Sequence, residues 1–155
     1  MILGFSKLSV TANQFIELAN TKLEESTSEI ENRSIVHLLY YGLYHHGYAL
    51  ANLVRYSALE REHGSAHKKL QDFFFDLSGA NTALISQENI RKFKRLSYKM
   101  KTMHDKRVIA DYALQYDCDN AFITQLKKEF DSCLELILEI GVQGSADEQP
   151  ALAQG

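Results

Sequence analysis

Apolar residues return every three or four positions along most of this chain, the spacing that lays them along one face of an α-helix. Thr11 to Gln14 has the form of a capping box. Ala12, Phe15, Ile16, Ala19 and Leu23 follow at helical steps and predict a first helix over about 9–25. Ser28 to Glu31 repeats the capping form. It opens a longer run in which Ile35, Leu39, Gly42, His46, Ala49, Leu53 and Tyr56 make one seam, ending near Glu62 with Gly64 as the stop. A shorter helix fits 66–77, with Phe73, Phe74 and Leu77 apolar, before a loop at Ser78-Gly79-Ala80-Asn81. Ser86 is placed to cap a fourth helix whose inward row is Ile90, Phe93, Leu96, Met100 and Met103. After a break at Tyr116–Asp119, Ile123, Leu126, Phe130, Cys133, Ile137 and Ile140 form a heptad-like stripe. No strand-like alternation of useful length competes. The expected fold is all-α: an antiparallel up-down bundle of four main helices plus a short fifth. It occupies residues 1–143, and 144–155, which lack periodicity, read as a flexible C-terminal tail.

Composition changes this picture little. A length of 155 residues suits one domain with a single core, and a lone proline leaves few obligatory breaks in long helices. Cys118 and Cys133 have no metal-like spacing and read as reduced thiols. The N-terminal residues lack the charged and apolar regions of a signal peptide, and no stretch approaches a membrane span, so the cytoplasm is the expected location.

Charge changes it more. Residues 91–107 hold 8 of the 17 Lys and Arg and one acid, Asp105, in a chain of net charge -3. Arg91, Arg95 and Lys99 are helical neighbours, and like charges so placed repel by roughly 0.2–0.5 kcal/mol per pair. Either acids of the chain neutralise them, from the Glu24, Glu25, Glu29, Glu31 group or from Glu129, Asp131, Glu135 and Glu139, or an anion does. In Tyr40-Tyr41-Gly42-Leu43-Tyr44-His45-His46 the tyrosines suit packing, and adjacent histidines point about 100° apart, poorly set to share one metal. His63 and His67 have a glycine between them where a helix break is expected, so no metal site is expected there. The chain has no Gly-rich phosphate loop, nucleophile elbow or Cys-x2-Cys pair, and no cofactor is expected.

YYGLYHH within the second helix, His67 opening the third, and Arg107-x2-Ala-Asp-Tyr together resemble the HEPN superfamily, in its branch of small stand-alone bundles. The resemblance covers about residues 10–140 and rests on Tyr41, His45, His67, Asp111 and Tyr112. It implies a dimeric helical bundle in which active members cleave RNA without metal, using an Arg and a His four to six residues later. Here that window holds Tyr112, Ala113 and Leu114, with no His. The expectation is therefore a homodimeric RNA- or nucleotide-associated partner with a degenerate nuclease motif. The resemblance places it beside a nucleotidyltransferase or in a toxin–antitoxin or defence system. Arg91, Arg95, Lys99 and Arg107 are expected at phosphates, with Tyr112 beside Arg107. Two alternatives stay open: a metal-independent ribonuclease using Arg107 with His104 or Tyr112, and a non-catalytic scaffold burying helix seams against another chain.

Overall fold

The computed structural model describes residues 10–25, 28–79 apart from 60–64, and 87–153, with the backbone alone for 53–59, 77–79, 87 and 142–153. These residues form five helices and no strand: α1 Ala12–Glu25, α2 Glu29–Leu59, α3 Ala66–Gly79, α4 Gln87–Tyr112 and α5 Asn120–Ala153. Side chains set their starts. The Thr11 amide donates to Gln14 Oε1 at 2.8 Å and the Gln14 amide to Thr11 Oγ1 at 3.4 Å, the two halves of a capping box. Ser28, Ser65 and Asp119 accept from the amides of Glu31, Lys68 and Phe122 and start α2, α3 and α5 in the same way.

α2 packs against each of the other four helices, so it buries more than one stripe. Ile35, Leu39 and Gly42 of the expected seam are buried, and so are Val36, Tyr40, Leu43, Gly47 and Leu50. Ala49 is exposed instead, because the seam drifts off a helix covered on several sides. Phe93, Leu96, Met100 and Met103 of α4 and all six residues of the α5 stripe lie in the core. Cys118 and Cys133 are buried and free, and burial pushes the Cys133 thiol up to about 12. Lys92 pairs with Glu139, Lys99 with Ser132 and Lys106 with Glu129 along α4 and α5.

Two expectations differ from the structure. Ser78 and Gly79 belong to α3 instead of a loop, and the α5 backbone stays helical to Ala153 across most of the expected tail. Ala, Glu and Gln in that stretch are good helix formers even without an apolar row. The expected Glu62–Gly64 stop, the Ser86 cap and His63 lie outside the described residues, as do Ala80, Asn81 and residues 154–155. Among the described residues no helix is long and apolar enough to cross a membrane.

At Gly42, α1 packs closely against α2. A Cβ there would lie 2.6 Å from Ile16 Cγ1 and 3.3 Å from the Ala12 carbonyl oxygen. Overpacking costs about 1–3 kcal/mol, against the roughly 1 kcal/mol that alanine's helix preference returns. Gly42→Ala is expected to lower the urea midpoint, and combining it with Ile16→Ala to cost less than the sum of the two single effects. A Gly42→Ala midpoint above that of wild type, as alanine's helix preference alone would give, would show that α1 does not seat at this position.

Candidate functional site

α2, α3 and α4 bring aromatic and ionisable side chains into one cluster. α2 supplies His37, Tyr40, Tyr41 and Tyr44, which helical spacing puts on one face. α3 supplies His67 from its first turn, and α4 supplies His104, Arg107 and Asp111 at steps of three and four.

Tyr40 is the centre of it. Its hydroxyl lies 2.6 Å from His67 Nδ1, and its ring centroid is 5.3 Å from that of His67 and 5.7 Å from that of His104. The Arg107 guanidinium sits 5.4 Å from the Tyr40 ring and 5.8 Å from the Tyr41 ring, within reach of a cation–π attraction. Arg107 Nη1 donates to Asp111 Oδ2 at 3.1 Å, and the same carboxylate meets His37 Nδ1 at 3.0 Å. Arg107 Nη2 is 3.4 Å from His104 Nε2. A guanidinium only donates, so Nε2 accepts. That assigns the ring proton of neutral His104 to Nδ1, which lies 3.6 Å from Asp105 Oδ1. The rings of His67 and His104 are 5.3 Å apart.

The electrostatics follow from partial burial. Arg107 is 8% exposed, and its Nε is buried with no hydrogen-bond partner among the described residues. Burial works against its charge, yet the bond to Asp111 and the neighbouring phenols leave its pKa raised. Burial also raises Tyr40 far above the ordinary phenol value, so its hydroxyl keeps its proton and can donate to His67. His67 is lowered, first by burial and then by His104 and Arg107. The cluster therefore couples a fixed cation to a histidine that stays neutral near pH 7, a combination suited to holding a phosphate and moving a proton. Among the described residues no group of three or more His, Cys, Asp or Glu could hold a metal ion.

Of the residues expected at a site, Tyr41, His67, His104, Arg107 and Asp111 come together here. His45 does not. One residue past Tyr44, it turns away from Arg107 and lies 5.4 Å, ring to ring, from Phe15 of α1. Tyr112 does not stand beside Arg107 either: five residues on is about 140° round the helix, and it is 72% exposed. Nor do Arg91, Arg95, Lys99 and Arg107 make one anion-binding face. Arg91 and Arg95 point outward, Lys99 donates to Ser132 Oγ at 3.0 Å, and Arg107 faces inward toward α2. Some of the basic segment is neutralised internally. Lys92 is buried between Glu88 and Glu139, and Lys106 pairs with Glu129. Arg91, Lys94, Arg95 and Lys101 stay exposed with no ion pair among the described residues.

The sequence reading missed two members of this region. His37 was legible as the i−4 neighbour of Tyr41, whose ring it meets at 4.7 Å. Arg33 was legible only as the i+4 partner of Glu29, because the carbonyls it reaches lie about 80 residues away. Its Nη1 donates to the carbonyls of Ala110 and Ala113 at 3.0 and 3.1 Å, and its Nη2 to those of Leu114 and Tyr116. An open cleft of about 380 Å³ between α1, α2 and α5 contains none of the cluster residues. Comparisons with family models, curated proteins and solved structures find no match.

Burial lowers His46 as well as His67, with His45 adding to the shift at His46. The unfolded chain then binds protons on these rings at a pH where the folded chain does not. Stability should rise with pH up to the ordinary imidazole value near 6.5 and be lost as acid protonates both rings. NMR titration should place the His67 midpoint below that of a free imidazole, and Arg107→Met should move it part of the way back. A His67 midpoint at or above the free value would contradict the geometry.

Proposed function

We propose that this chain is a HEPN-like antiparallel bundle that associates with RNA or a nucleotide, as a homodimer and as the partner of a nucleotidyltransferase or of an antitoxin or defence component. The order of the pairs Lys92–Glu139, Lys99–Ser132 and Lys106–Glu129 supports opposed directions for α4 and α5. The contacts of Arg33 with Ala110, and of Gly47 with Met100, support the same for α2 and α4. The observation that carries the anion-binding reading is the exposed set Arg91, Lys94, Arg95 and Lys101, left without carboxylate partners among the described residues in a chain whose net charge is negative. Polyanion binding would release counterions and weaken steeply with salt. The Arg91→Glu, Arg95→Glu double variant should lose retention on RNA or nucleotide resin at low salt. Equal elution of the two proteins would sink the reading.

One observation favours a second reading, metal-independent RNA cleavage. Arg107 stands with His104 and His67 in one cluster although no His follows Arg107 at the family's spacing. One histidine would take the proton of the 2′-hydroxyl as its oxygen bonds to phosphorus, the other would protonate the departing 5′-oxygen as the P–O5′ bond breaks, and Arg107 would stabilise the phosphate charge. Labelled RNA incubated with the protein in EDTA decides it. Cleavage that falls by a factor of about 10² or more in both Arg107→Ala and His104→Ala supports the enzyme, whereas intact RNA with the wild-type protein leaves the binding role alone.

A further inference from the structure

Tyr98 lies on the outward side of α4 and is 56% exposed, and Phe75 of α3 meets it edge to face while 48% exposed itself. The centroids are 6.4 Å apart with the planes at 78°. Two large aromatic side chains thus share one solvent-facing spot well away from Tyr40. The Arg107 direction and the Tyr98 direction are about 180° apart around α4, so this surface and the histidine cluster are on opposite sides of the helix.

Position around the helix also decides which charges surround Tyr98. Lys94 and Lys101 fall about 40° and 60° to one side of it, and Arg91 and Arg95 about 20° and 60° to the other. Those are the four exposed cations of the basic segment without an ion pair among the described residues. They span about 15 Å of helix with the tyrosine between them. The one acid of the segment, Asp105, lies about 20° round from Tyr98 and about one turn past Lys101, and its carboxylate is 3.6 Å from His104 Nδ1. On α3, Asp72 is taken up by Lys68 at 3.1 Å and Asp76, next to Phe75, is exposed, so the cations still outnumber the acids on this side. An apolar partner for the rings would leave four cations to be desolvated without compensation. A polyanion that also carries flat π-faces answers both features together.

We propose that the outward face of α4 binds single-stranded RNA, one base stacking on the Tyr98–Phe75 pair and the flanking phosphates meeting Arg91, Lys94, Arg95 and Lys101. The proposal rests on the RNA association argued above and names the form of RNA. In a duplex the base faces are already stacked on one another and only the phosphates are presented, whereas an unpaired base can lie on an exposed ring. The cations alone would not distinguish the two forms; the aromatic pair does.

The experiment compares a fluorescein-labelled 12-nucleotide oligo(U), a duplex RNA of the same length and the matching oligo(dT), by anisotropy over a salt series with the full chain. Tyr98→Ala should weaken oligo(U) binding about tenfold, in line with the loss of one stacked base, and leave duplex binding unchanged. Tyr98→Phe should retain wild-type affinity, since the platform is the ring and not the hydroxyl. The Arg91→Gln, Arg95→Gln variant should weaken oligo(U) and duplex alike and flatten the single-strand salt slope by roughly 1.4. Tyr98 is 56% exposed and Arg91 and Arg95 are exposed, so helicity by circular dichroism should stay at the wild-type level in every variant.

If oligo(U) binding falls in the arginine variant but not in Tyr98→Ala, stacking is overturned while RNA association stands. If wild-type protein binds none of the three probes, both fall. A wild type that prefers the duplex overturns the single-strand assignment, and one that prefers oligo(dT) overturns the choice of RNA.

Discussion

Arg33 holds the candidate site together from a distance. The last turn of α4 leaves its carbonyls without intrahelical donors, and they form the negative end of the helix dipole. The Arg33 guanidinium, reaching over from the first turns of α2, donates to the carbonyls of Ile109, Ala110, Ala113, Leu114 and Tyr116. Glu29 secures the guanidinium at 2.8 Å and accepts from the Cys118 amide, and Asn32 donates to the Cys118 carbonyl. Arg33 and the Cys118 amide together hold the Glu29 carboxyl below the usual range. The start of α2 is thereby tied to the end of α4 and to the connection into α5. With that end pinned, Asp111 and Arg107 of α4 arrive opposite His37, Tyr40 and Tyr41 of α2.

The same arrangement explains the motif around Arg107 in physical terms. Ala110 is buried where α4 meets α2 and gives Arg33 its carbonyl. Asp111 divides one carboxylate between Arg107 and His37. A single shared carboxylate, two aromatic rings and a long bond to His104 Nε2 are modest compensation for a guanidinium that is 8% exposed. Its buried Nε has no partner among the described residues, which makes this the position in the cluster where another acceptor would gain most. Tyr112, by contrast, turns to solvent and contributes nothing to the cluster.

The basic segment of α4 divides according to where the helix turns each residue. Lys92 and Lys106 point toward α5 and meet its acids. Arg107 points toward α2 and into aromatic surroundings. The residues around Tyr98 point to water and keep their charge available. One dense run of cations therefore serves packing, the cluster and an open surface in turn, which its composition alone does not reveal.

The helices and their inward rows were legible in the sequence because an amphipathic helix writes its buried face at a fixed period, and caps such as Thr11–Gln14 sit next to the residues they serve. The pairing of Arg107 with His104 and Asp111 was legible for the same reason: neighbours at three and four steps are local facts. Tertiary structure alone decided the rest. It set His67 of α3 against Tyr40, sent Arg33 to carbonyls far along the chain, and turned His45 and Tyr112 away from the site. Those outcomes depend on the rotation and register of one helix against another. Side chains distant in sequence establish that register together, so no local window of residues contains it.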